Sequence, residues 1–211
     1  MLCIFRSCCA GLKKIKNNLE RIFIVEDIFL GKIDEILKRQ LTQKSFDLWI
    51  GIRENISNKC WNRMTSSTGK YHQKEDGRVP SVAEHTYEML HASEKIIHMF
   101  DGLINKDVIF LSIALHDSYK YGLVKSCKFT EERHDRIMAE IIKKNKKIFK
   151  HALNENDIYL LENSIRYHAG KWSTDAGKDF SLKDFTPEVL FLHMLDMLSS
   201  RNCLKIIEDK Q

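Results

Sequence analysis

The sequence predicts an all-α fold, a helical bundle with an N-terminal helical extension. Only two prolines and nine glycines occur among 211 residues, which leaves little of the turn chemistry that a many-stranded β fold requires. Apolar residues recur every three to four positions through most of the chain, the period of an amphipathic helix. Two strong helix-start signals, at Ser81 and at Thr186-Pro187, support the same fold class.

Composition restricts the class of protein but does not select a function. Apolar residues make up 43% of the chain, charged residues 30%, and the net charge is +5, as in a globular domain that tolerates anionic ligands. The six cysteines include no C-x-x-C pair, which favours reduced thiols and a cytoplasmic location. The apolar run at the start is interrupted by Arg6 and is too short to cross a bilayer, so we expect no membrane span.

Two amphipathic stretches precede the part of the chain that carries chemistry. Residues 12–40 and 46–61 hold apolar side chains at helical intervals but few groups suited to catalysis. We therefore predict an N-terminal helical extension or cap over 1–62 and a second domain over 63–211. The amphipathic pattern fits an intramolecular cap and a homo-oligomer interface equally well.

The second domain is predicted to consist of helices joined by polar turns. Ser81 is expected to cap a helix that runs to about Phe100, with Glu84 three residues later completing a capping box. Further helices are predicted over 107–120, 131–150, 156–168 and 187–207. The segment 108–115 is almost wholly apolar, so we expect it to be buried.

Polar residues occupy positions on these apolar stripes that should face a dry core: His85, His116, Asp117, His168 and Asp196. A carboxylate buried without a partner costs several kcal/mol, and a shared cation would satisfy carboxylates and imidazoles together. This ligand set suits Zn, Mn, Fe or Co better than Mg alone. A lone histidine on an apolar stripe is more often a hydrogen-bonded core residue, and His134 also fits an exposed charged helix face.

The ordered series of these residues resembles the H…HD…H…H…D pattern of the HD-domain phosphohydrolases. The segments Ala83–Thr86 and Leu115–Lys120 resemble the first-histidine motif and the "LHDxGK" turn of that family. The segment Tyr167–Trp172, with Thr186–Glu188 and Leu192–Asp196, is similar to the HD domain of bacterial 3′-to-5′ exoribonucleases. The resemblance covers residues 64–205.

The resemblance implies a site built around two divalent ions. The implied metal ligands are His85, His116, Asp117, His134, His168 and Asp196. Asp117 would bridge the ions, and Lys120 would neutralise phosphate charge. The candidates for substrate binding are Arg78, Lys171, Trp172 and Arg201, although ordinary surface cations explain the three basic residues equally well.

Three departures from the family pattern affect the expected function. Tyr119 stands where relatives often have glycine, Ala169 stands where they often have a second histidine, and residues 1–62 do not suggest an OB-fold. The leading hypothesis is a phosphodiesterase or 3′-to-5′ exonuclease acting on nucleotides or short nucleic acids. A nucleotidase or dNTP phosphohydrolase is the alternative, and a non-catalytic binding module is a third.

Overall fold

The computed structural model describes residues 28–66, 72–123, 129–176 and 181–201, and within these ranges the chain is helical. The helices are α1 (28–40), α2 (Gln43–Arg53), α3 (Asn58–Trp61), α4 (Val82–Ile96), α5 (Lys106–Leu115), α6 (His134–Lys144), α7 (Lys146–Phe149), α8 (Glu155–Arg166) and α9 (Pro187–Ser200). The described residues contain no β-strand, only an isolated antiparallel bridge between Met64 and Ser81. The prediction of an all-α fold is confirmed.

Helix starts follow the capping residues that the sequence indicates. The Ser81 hydroxyl accepts a hydrogen bond from the Glu84 backbone N–H at the start of α4. Thr186 does the same for α9, where Pro187 takes the first helical position. In each case a side-chain oxygen satisfies a backbone donor that has no partner within the helix. The prediction of a full capping box is wrong, because the Glu84 carboxylate accepts hydrogen bonds from Arg78 and none from the Ser81 backbone N–H.

Two predicted helices are shorter than the sequence pattern suggested. Helix α5 ends at Leu115 and is followed by turns in which a backbone N–H donates to the carbonyl three residues earlier. The last of these turns ends at Gly122, whose φ of 83° is a left-handed conformation that glycine adopts readily. The predicted helix 131–150 begins at His134 and breaks at Asn145, whose side chain hydrogen-bonds to the backbone carbonyl of Ile141. Such local bonds compete with helix continuation. The predicted helical residues 12–27 and 202–207 lie outside the described ranges.

Helix α5 lies at the centre of the bundle. Every residue from Val108 to Leu115 is buried, and the helix contacts α2, α4, α8 and α9. Helix α6 packs on the outer side of this group against α8. Because α5 is surrounded, the residues that follow its carboxyl end are delivered into the interior of the bundle.

Helices α1 to α3 share the core of the bundle. Trp49 and Trp61 are fully buried and meet edge to face, with ring centroids 5.9 Å apart, in the same cluster that contains α5. Asp107 of α5 accepts hydrogen bonds from the backbone and the hydroxyl of Thr42, which tethers the start of α2. The described part of the predicted extension therefore packs on the same core as α5, and both the division at residue 62 and a homo-oligomer interface stay predictions. None of the described helices has the length and apolar character that crossing a bilayer requires.

Candidate metal centre

Five structural elements bring the predicted ligands to one place. His85 lies in the first turn of α4, His116 and Asp117 follow α5, His134 begins α6, His168 follows α8, and Asp196 lies in α9. The backbone carbonyls at a helix carboxyl end carry partial negative charge. Helices α5 and α8 end here, whereas α4 and α6 begin here, so the helix dipoles oppose one another and the side chains determine the charge of the site.

The imidazoles form a continuous series around Asp117. Ring centroids are 5.4 Å apart for His85 and His116, 5.1 Å for His116 and His168, and 5.4 Å for His134 and His168. Two sets of three residues each offer ligand atoms within 4.8 Å of one another, His85 with His116 and Asp117, and Asp117 with His134 and His168. Buried histidine and aspartate groups at this site can therefore hold a metal ion. Asp117 belongs to both sets.

Asp196 approaches the site from the opposite element, α9. Its Oδ1 lies 3.2 Å from Nε2 of His85, a side chain with no exposed surface. The two residues are separated by more than a hundred positions in the chain, so only the packing of α9 on α4 brings them together. The structure thus places a second carboxylate beside His85.

Hydrogen bonds fix the tautomer of three of the histidines. The Nδ1 atoms of His116, His134 and His168 lie 2.8, 3.0 and 2.7 Å from the backbone carbonyl oxygen of the residue three positions earlier. A carbonyl oxygen can only accept, so each Nδ1 must carry the proton. In this tautomer the Nε2 atom presents a lone pair toward the site, which is the arrangement of a metal-ligating histidine.

Burial keeps the rings of His116 and His134 neutral. It lowers the pKa of His116 to about 4 and that of His134 to about 4, against the opposing attraction of Asp117. At neutral pH no proton is then available to bridge Nε2 and the carboxylate. The Nε2 atoms of His116, His134 and His168 nevertheless face oxygens of Asp117 at 3.6, 3.5 and 3.9 Å. The lone pair on each bare Nε2 atom and the lone pairs on the carboxylate oxygen repel each other unless a cation lies between them.

Lys120 supplies one positive charge to Asp117. Its Nζ lies 2.5 Å from Oδ2 of Asp117, a residue that is only 2% exposed. Burial acts to raise the pKa of Asp117, but the ammonium of Lys120 and the neighbouring imidazoles outweigh it and hold that pKa well below its usual range. The other oxygen, Oδ1, has no hydrogen-bond partner within the described ranges. Lys120 therefore pairs with only one of the two carboxylate oxygens of Asp117.

A cavity of about 480 Å³ opens onto this centre. Its lining includes three of the predicted ligands, His134, His168 and Asp196, together with Lys120. Pockets for small molecules generally measure about 300–1,000 Å³. A ligand of the size of a nucleotide can therefore reach both the lysine and the histidines.

The structure brings two of the four predicted substrate-binding residues to this cavity. Trp172 and Arg201 line it, and the Trp172 side chain is 62% exposed. Arg78 does not line it, because both of its terminal nitrogens donate to Glu84. Lys171 does not line it either; its Nζ lies over the Trp172 ring, 4.6 Å from the centroid.

His72 is a site residue that the sequence analysis did not select. It is buried, lines the cavity, and meets the ring of His85 edge to face at 4.6 Å. Its φ of 61° is rare for a side chain of this size, and its backbone N–H donates to Ser200 at 3.0 Å. Burial, followed by the proximity of His85, lowers its pKa to about 3. Only its place in the segment before His85 could have indicated it.

The two residues that depart from the family pattern have different surroundings. Ala169 lines the cavity of the metal centre, where a second histidine would have added a polar group. Tyr119 lines a different and larger cavity, of about 660 Å³, between α2 and α6. None of the predicted metal ligands lines that larger cavity, so its size alone does not make it the functional site.

Comparison with known proteins provides no assignment for this chain. No protein-family model matches it, and searches of curated proteins and of solved structures found no significant match.

Proposed function

We propose that this chain is a metal-dependent phosphohydrolase that cleaves phosphate esters of nucleotides or short nucleic acids. One observation carries the proposal: the neutral imidazoles of His116 and His134 direct bare Nε2 atoms at the buried carboxylate of Asp117. A divalent cation is the species that satisfies both kinds of group at neutral pH. The resemblance of the ordered series to the HD-domain pattern supports the same function.

Two ions fit the donor set better than one. The two groups of possible ligands share Asp117, and a shared carboxylate is the usual bridge in a dinuclear centre. His85, His116 and Asp196 would be the further ligands of one ion, and His134 and His168 would be the further ligands of the other. Since most of these donors are imidazole nitrogens, we expect Zn, Mn, Fe or Co rather than Mg alone. A bound metal pair supplies Lewis acidity toward phosphate and water of lowered pKa.

The protein groups around the cavity suit a phosphate ester with an attached base. Lys120 lines the cavity and carries an ammonium that can shift from Asp117 to a phosphoryl oxygen when cations neutralise the carboxylate. Trp172 offers an exposed aromatic face at the same cavity, which is suited to stacking on a nucleobase. Together they would orient the scissile phosphate toward the histidines.

The cavity volume favours a second candidate within the same class. About 480 Å³ is a small-molecule dimension, and no described strand provides the sheet on which an OB-fold holds single-stranded nucleic acid. A nucleotidase or dNTP phosphohydrolase acting on mononucleotides is therefore the alternative to a phosphodiesterase or 3′-to-5′ exonuclease.

Metal analysis followed by a substrate panel tests the proposal. We expect the purified chain to contain up to two transition-metal ions and, once loaded, to cleave either oligonucleotides and cyclic dinucleotides or mononucleotides. Release of phosphate, pyrophosphate or triphosphate from mononucleotides alone would select the alternative.

Asp117→Asn provides the matched variant for this test. It keeps the shape of the side chain but removes the shared charge, so both metal binding and activity should be lost. Asp47→Asn makes the same change at an exposed carboxylate on α2 and should alter neither. If Asp117→Asn retained the full metal content and the same activity, the phosphohydrolase would be ruled out in favour of a non-catalytic module or a different chemistry.

A further inference from the structure

His85 differs from the other histidines of the site in what holds its Nδ1 atom. The other three predicted histidine ligands donate to backbone carbonyls, whereas Nδ1 of His85 lies 2.9 Å from the hydroxyl of Ser199. That hydroxyl in turn donates to Oε2 of Glu88 at 3.2 Å. Glu88 forms an ion pair with Lys74. A relay of three side chains, Ser199, Glu88 and Lys74, thus leads away from His85.

The direction of each hydrogen bond in this relay follows from which groups can donate and which can accept. A carboxylate paired with an ammonium only accepts, so the single hydroxyl proton of Ser199 is directed at Glu88. The Ser199 oxygen must then accept from His85, which places a proton on Nδ1. Ser199 and Glu88 are both buried, so water does not readily replace either partner. Nε2 of a neutral His85 is left bare.

Without this control His85 would favour the wrong tautomer. Its Nε2 lies 3.2 Å from Oδ1 of Asp196, closer than the distances of 3.5 to 3.9 Å between the other Nε2 atoms and Asp117. A proton moved to Nε2 would make a hydrogen bond to that carboxylate. The same proton would occupy the lone pair that a metal ion needs.

We propose that Lys74, Glu88 and Ser199 are positioning residues that keep the proton of His85 on Nδ1 and thereby leave Nε2 available to metal. The inference rests on the metal centre of the proposed function. The three residues do not touch the metal or the substrate in this role. They act by making one tautomer of His85 more stable than the other, as hydrogen-bond partners of metal-ligating histidines generally do.

The zinc affinity of the 211-residue chain tests the relay. In Ser199→Ala, Nδ1 loses its acceptor, and we expect the zinc dissociation constant, measured by competition with a chromophoric chelator, to rise about 10- to 100-fold. Ser199→Thr keeps the hydroxyl and should restore affinity. Ser93→Ala is the control, because Ser93 is also buried but donates to the carbonyl of Met89 in α4. Unchanged affinity in Ser199→Ala would overturn the inference.

Nitrogen-15 NMR of the imidazoles gives a readout that does not depend on metal. In the metal-free wild-type chain we expect His85 to carry a proton on Nδ1, and in Ser199→Ala to carry it on Nε2 with Nδ1 bare. A bare Nδ1 in the wild type would overturn the relay even if no variant folds. If the wild type binds no zinc but shows the expected tautomer, the proposed metal centre fails while the relay stands.

Discussion

Acidification should lower the free energy of unfolding of the metal-free protein because His134 is buried. The size of this effect follows from the pKa of the buried ring. Burial lowers the pKa of His134 to about 4 in the folded chain, from an ordinary value of 6.5. Between these values the unfolded chain binds a proton that the folded chain does not bind. Stability is therefore lost as the pH falls through this window and reaches a plateau below pH 4. A pKa difference of about 2.5 corresponds to about 3 kcal/mol.

The variant His134→Gln isolates this contribution. It removes the titrating ring, so the free energy of unfolding of the wild type should fall relative to that of the variant by about 3 kcal/mol between neutral pH and pH 4. Urea unfolding in the presence of a chelator measures both curves. The same substitution at the exposed His98 controls for the loss of an imidazole as such. Parallel wild-type and His134→Gln curves across this window would refute the reasoning.

Three further substitutions should lower stability, each by a different mechanism. Gly170→Ala should cost about 2 kcal/mol, because φ is 62° and the new Cβ would lie 2.5 Å from the His193 ring. Arg166→Met should cost about 2 kcal/mol after allowance for solvent screening, since Arg166 donates to three carboxylates. Asp107→Ala should cost about 1.5 kcal/mol by removing the tether on Thr42. Thermal unfolding at neutral pH measures all three.

Each of these stability predictions has its own contradicting outcome. A wild-type melting temperature in Gly170→Ala would mean that the turn after α8 can move away from His193. An Arg166→Met protein of unchanged stability would mean that solvent already screens the three carboxylates fully. Retained stability in Asp107→Ala would mean that α2 needs no partner from α5.

The sequence determined the helices and the order of the site residues. Helical spacing and the caps at Ser81 and Thr186 predicted α4 and α9 because these signals are local, and the structure confirms both helices. The series from His85 to Asp196 could be identified because polar side chains on apolar stripes are costly unless they meet. The structure brings these residues together.

Only the tertiary structure decided which partner each polar group takes. Arg78 pairs with Glu84, and His72 lines the cavity. Both outcomes depend on how the segment before α4 folds back on the bundle. The tautomer of His85 depends on Ser199, which is more than a hundred residues away. Periodicity and spacing along the chain indicate which face of a helix is buried, whereas a hydrogen-bond partner is set by atomic distances between helices that are far apart in sequence.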